Sequence, residues 1–168
     1  MTVRRSQGLR RASLSVVLLG AVCAGAGAAP DHRPSGLHGE LVAAGLTTAG
    51  QLTVGGTPPS DLVGLWQSVL WADGYAAPSS VTCAYDEATA AATRIWQNNH
   101  QLSPDGIVGP ATWGVAAERI APAGRWMAYL GERHGLPLRL DGDGTYEVYD
   151  GGRFHRLRTD IVTLTHCR

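Results

Sequence analysis

Leu62, Leu65, Trp66, Val69 and Leu70 stand at i, i+3, i+4, i+7 and i+8. That spacing puts five large apolar side chains on one face of an α-helix. A face of that width must be covered, so the stretch predicts a helix packed against further elements. Ser60 suits its N-cap, Asp61 the positive end of its dipole, and Gly74 the position where a helix stops. A second helix is predicted over residues 86–100, capped by Asp86, with Ala88, Ala92, Ile95 and Trp96 at helical spacing. A third starts at Pro110, a residue suited to a first turn, carries Trp113, Ala116, Ala117 and Ile120, and ends at Pro122. Trp66, Leu70, Ile95, Trp96 and Trp113 are spaced to meet in one core.

From about Gly124 the pattern changes. Residues 136–140, 145–149, 153–158 and 161–165 have strand composition, and Gly142-Asp143-Gly144 and Asp150-Gly151-Gly152 are turn signals between them. A small antiparallel sheet of two to four strands is expected. So short a segment does not fold strongly alone. It is therefore expected to pack on the helices, giving a mainly α chain with a β-rich C-terminal extension.

The 168 residues leave room for one small domain with an appendage. Residues 1–28 read as a secretory signal: Arg4, Arg5, Arg10 and Arg11 precede a short apolar run, and small residues follow up to Ala28. The run is too short for a spanning helix. No aromatic residue follows either arginine pair as in twin-arginine signals, and Val22 before Cys23 disfavours a lipid anchor. Loss of those four arginines leaves ten of the 14 basic residues against 14 acids, a net of −4. Nucleic acid is a poor partner for such a chain. Cys83 and Cys167 remain as an even pair in an exported chain, which predicts one disulfide.

A short pattern occurs twice. Residues 82–89 lead into the second helix and residues 105–112 into the third, each as a tight turn, an extended piece and a helix start. Trp66-Gln67, Leu70 and Gly74-Tyr75 form one motif. Ala92, Trp96-Gln97, Leu102, Asp105-Gly106-Ile107-Val108-Gly109-Pro110 and Thr112-Trp113 form a second, without a gap. With the first helix, these stretches resemble the peptidoglycan-binding domain 1 family over about residues 61–120. The resemblance implies a three-helix peptidoglycan-binding-like bundle in a secreted bacterial protein. Departures lie in the first loop, where Thr82, Cys83 and Asp86-Glu87 replace the family's Asp, Gly and Gly-Pro, and at Gln101, where the family has Gly. A disulfide at Cys83 is expected to fix a loop that glycine otherwise shapes.

Most motif residues are expected to be structural. Gln67 and Gln97 bond backbone or line a groove, Asp105 caps its own turn, and Thr112 bonds near its helix start. Gly106 and Gly109 permit the loop's backbone angles. The resemblance implies wall binding, and the residues left over for ligand are Trp71, Tyr75, Tyr85, Arg94 and Asn98. Arg94 and Asn98 share a helix face, and Arg94 suits a stem-peptide carboxylate.

No catalytic residue, metal or cofactor is expected. The histidines are scattered with no H-E-x-x-H, and Asp141-Gly142-Asp143-Gly144 fails as an EF-hand loop. Thr165-His166-Cys167-Arg168 only faintly matches a transpeptidase motif. The expected organisation is a signal (1–28), an irregular lead-in (29–60), the binding-like domain (61–122) and the extension (123–168). Peptidoglycan is the expected partner of a secreted, wall-associated, non-catalytic protein without a stable membrane anchor. The alternatives are a protein-binding accessory or inhibitor module, and a remnant of a wall hydrolase or transpeptidase.

Overall fold

The computed structural model describes residues 45–167. The signal and the first half of the lead-in, residues 29–44, lie outside these residues. Helix α1 (Asp61–Ala72) is capped by Ser60, whose Oγ accepts the Val63 N–H at 3.4 Å. It ends in a Schellman turn: Gly74 has φ +83°, its N–H reaches Trp71 O at 2.9 Å, and Tyr75 N–H reaches Leu70 O at 2.8 Å. Helix α2 (Glu87–Asn99) is capped by Asp86, whose Oδ1 accepts Thr89 N–H at 2.8 Å. It ends in the same geometry with Gln101 at φ +60°, where no glycine is present. Helix α3 (Pro110–Ala117) begins at its proline as expected.

The helix does not continue to Ile120. Ile120 opens strand β1 (Ile120–Ala123), which turns through Gly124, at φ +70°, into β2 (Trp126–Leu130). Strands β3 (Gly135–Leu140), β4 (Tyr146–Asp150) and β5 (Arg153–Arg156) follow, in an antiparallel sheet of order β1-β2-β3-β4-β5. The sheet thus has five strands rather than two to four, and the chain is not mainly α. Pro122 is not a helix stop; it sits in an edge strand, where a missing N–H is tolerated. Residues 161–165 form no strand. They run past the start of α1, where the buried Asp61 carboxylate accepts Thr163 N–H at 2.6 Å, Thr163 Oγ1–H at 2.6 Å and Leu164 N–H at 3.1 Å.

The inner sheet face, with Tyr129, Leu136, Leu138, Tyr146 and Val148, shares one core with α1 and the three buried tryptophans. Trp66 meets Trp96 and Trp113 edge-on, at 5.1 and 5.4 Å between centroids. Leu46 and Leu52 of the lead-in are buried here too, and Leu52 exchanges both backbone hydrogen bonds with Val108. Ile95, expected inside, is 56% exposed. Only one face of α2 is covered, by way of Thr89, Ala90, Thr93, Trp96 and Gln97. At the far end of α1, the buried Asp73 carboxylate binds Trp96 Nε1–H at 2.7 Å, Tyr129 O–H at 2.6 Å and Glu132 N–H at 3.0 Å. Burial, then this bond to Asp73, pushes the Tyr129 hydroxyl well above its ordinary pKa.

Candidate functional site

The two loops ahead of α2 and α3 are built on one plan. In each, a buried glutamine one residue after a tryptophan is the template. Gln97 Oε1 accepts Gly106 N–H at 2.9 Å, while its amide donates to Asp105 Oδ1, Ile107 O and Thr112 Oγ1. Gln67 Oε1 accepts Thr82 N–H at 2.9 Å and Cys83 N–H at 2.8 Å, while its amide donates to Thr82 Oγ1, Ala84 O and Thr89 Oγ1. Gly106 has φ +76° and Cys83, in the matching place, φ +60°. The expected disulfide joins Cys83 to Cys167 with 5.5 Å between Cα atoms. Asp105 caps its own turn through Ile107 N–H at 2.8 Å.

Two clefts flank the segment that follows α1. One, of about 490 Å³, is lined by Tyr75, Ala76, Ala77, Ser79, Ser80 and Thr82, with Gln67 and Leu70 behind them and Asp86, Ala88, Thr89 and Ala92 opposite. Tyr75 is fixed at its edge, its hydroxyl accepting from Asn99 Nδ2 at 3.0 Å. The Thr89 hydroxyl, then its N–H, holds the Asp86 carboxyl below its ordinary range, so this cleft carries an anion at one end. The other, of about 430 Å³, is lined by Trp71, Gly74, Ala76, Ala77, Pro78, Arg133 and His134. Trp71 stacks on the His134 ring, 4.5 Å between centroids and 18° from parallel. Both clefts are concave and mix apolar surface with fixed polar groups, the combination that small ligands use.

Residues 59–115 match the family model described as "Putative peptidoglycan binding domain". This stretch of the chain belongs to that family. No curated protein and no solved structure matched the chain. The matched stretch spans α1, α2, both loops and most of α3, and stops short of the sheet.

Set on this peptidoglycan-binding domain, the five residues expected to touch ligand separate. Tyr75 and Trp71 each line a cleft. Arg94 and Asn98 are exposed on α2 but line neither; Arg94 lies over Gly106. Tyr85 is a correction: it is 5% exposed, and its hydroxyl donates to Gly106 O at 2.8 Å within reach of Thr93 Oγ1. Burial, partly opposed by Thr93, pushes that hydroxyl up to about 12. Tyr85 therefore braces the two loops against each other and offers no face to a ligand. The repeat held the signal for this, because Tyr85 matches Val108, which is fully buried. Cleft residues that sequence reasoning missed are Ser79, Ser80, Arg133 and His134; none belongs to a motif, and the fold alone brings them to the site.

Proposed function

We propose that this chain is a secreted, non-catalytic protein that holds to bacterial peptidoglycan through the cleft beside Tyr75. The match of residues 59–115 to a peptidoglycan-binding domain carries this reading. The cleft supports it. An aromatic edge, hydroxyls of Ser79, Ser80 and Thr82, and an apolar wall suit a sugar face or a short peptide. The amino-terminal signal supports export. Cys167 supports the non-catalytic reading, since a sulfur bonded to Cys83 offers no thiolate nucleophile.

The test is co-sedimentation of oxidised residues 29–168 with purified sacculi. Saturable pelleting is expected, with affinity reduced roughly ten-fold in Tyr75→Ala, about the effect of losing one buried aromatic contact. Wild-type protein left in the supernatant at tens of micromolar refutes the reading.

A second reading, a protein-binding accessory module, has its own observation. Trp126 (41% exposed), Tyr149 (48% exposed) and Phe154 cluster on the sheet, each neighbouring ring pair 5.3 Å apart, with Arg139 above Phe154 at 4.8 Å. Exposed aromatic patches of this kind mark protein interfaces. Trp126→Ala would leave sacculus binding intact if the patch serves a different partner.

A further inference from the structure

The two clefts adjoin as two lobes, with Ala76 and Ala77 lining both. The second lobe differs in chemistry. None of its lining residues is acidic, and it holds a guanidinium that no acid among the described residues neutralises. Among the described residues Arg133 has no ion-pair partner. Glu132, its neighbour in sequence, and Asp73, which takes the Glu132 N–H, are engaged elsewhere: they lie 3.8 and 3.6 Å from Arg119. An arginine is charged at any relevant pH and is shaped to grip a carboxylate.

This lobe is also held in place. Arg133 N–H and His134 N–H both donate to Ala72 O, at 2.8 and 3.0 Å, and Glu132 N–H to Asp73 Oδ1 at 3.0 Å. The turn between β2 and β3 is thereby fixed on the end of α1. A Cβ built at Gly131 would sit 2.6 Å from Ala72 O, so the close approach needs that glycine. Gly74 plays the matching part opposite, since its Cβ would fall 2.9 Å from Arg133 Cζ. The Arg133 side chain packs close to a glycine, and Ala76, Ala77 and Pro78 beside it suit small methyl-bearing residues.

We infer that this lobe takes the C-terminal carboxylate of a peptidoglycan stem peptide, with Arg133 as its ligand and the Trp71–His134 stack as its wall. The inference rests on the wall-binding reading above and adds a specificity determinant from outside the family stretch. Between residues 61 and 118 the only arginine is Arg94, which lines neither lobe. The cation must therefore come from the sheet.

The experiment is competition during sacculus co-sedimentation, using a synthetic stem tetrapeptide as its free acid and as its C-terminal amide. For the wild-type protein the free acid should displace sacculi at about ten-fold lower concentration than the amide, the discrimination of one charge-assisted pair. In Arg133→Gln that preference should vanish. Arg125→Gln, an exposed arginine at the opposite end of β2, should keep it, which separates a local contact from general charge. Equal displacement by acid and amide, or a preference that survives Arg133→Gln, overturns the inference and leaves wall binding standing. Wild-type protein that never pellets ends both readings. Unchanged thermal unfolding of Arg133→Gln confirms that the fold is intact.

Discussion

Gly64 lies in the interior of α1, where helix propensity favours alanine by about 1 kcal/mol. The structure predicts the opposite sign for Gly64→Ala. A Cβ there would fall well inside van der Waals contact distance of Cys83 Sγ, 3.2 Å from Cys167 Sγ and 3.3 Å from Leu164 Cδ1. The obstacle is a disulfide, which cannot swing aside as a free side chain does. Its first half is held by Cys83 N–H on Gln67 Oε1 at 2.8 Å and by Ser60 N–H on Cys83 O at 3.0 Å. Overpacking a core by one methyl costs about 1–3 kcal/mol, and a crosslinked neighbour puts this site at the upper end. Less the helical gain, oxidised Gly64→Ala should lose about 2 kcal/mol.

The assay is urea unfolding of oxidised protein, with thiol titration to confirm that the bond is intact. The decisive arm repeats the substitution in a Cys83→Ala, Cys167→Ala background. Both sulfurs are then gone, the added methyl has room, and Gly64→Ala should become neutral or stabilising by up to about 1 kcal/mol. The coupling between glycine and disulfide should therefore be about 2–3 kcal/mol. Equal penalties in the two backgrounds, or an oxidised Gly64→Ala as stable as wild type, would refute the packing argument.

Two further outcomes are expected. Gln101→Gly should stabilise the chain by roughly 0.5–1 kcal/mol in urea unfolding, because Gln101 sits at φ +60° where glycine carries no Cβ penalty. Asp150 gives a pH dependence. Its burial opposes the charged form, but Thr165 N–H at 2.6 Å, His166 Nδ1 at 2.8 Å and the Thr165 hydroxyl outweigh it and hold the carboxyl at about 2. A carboxyl depressed in the folded state stabilises above its ordinary pKa near 4, and that contribution is lost as pH falls towards 2. The melting-temperature gap between wild type and Asp150→Asn should thus be full at pH 6 and shrink steadily below pH 4.

The helices were legible because each carried a local signal: the α1 stripe, the caps at Ser60 and Asp86, and Pro110. The cysteine pair was legible from its count. Strands β1 and β2 were not. Ile120 continues the helical spacing of Trp113, Ala116 and Ala117, so its pairing with Tyr129 is decided by tertiary contact. The sequence 120–123 holds one β-branched residue and a proline, a composition that reads as a break rather than a strand. The stretch 161–165 fails the other way. It has strand composition, but Asp61 captures its backbone N–H groups before a neighbour can pair with them. Of the candidate groove, Tyr75 was legible because it follows a helix-stopping glycine. Arg133 was not, because backbone hydrogen bonds to Ala72, which carry no side-chain signature, bring it there.

The exchange of glycine for Cys83 adds a covalent tie between the first loop and the C-terminal segment. A non-glycine residue at φ near +60° costs on the order of 1 kcal/mol, so the first loop begins with a deficit the second does not have. Gln67 holds the strained N–H, and the disulfide ties the loop to a point 84 residues later in the chain. Such a crosslink contributes on the order of 4 kcal/mol in the chain-entropy view, more than the strain it accompanies. Its effect is spatial as well. Together with Asp61 it fixes the C-terminal segment beside the start of α1, while Asp73 holds β2 and the turn after it at the other end. A sheet joined only by a linker could not hold Arg133 over Gly74. The altered first loop thus adds, through its disulfide near the start of α1, to the anchorage that Ala72 O and Asp73 give Arg133's turn at the other end.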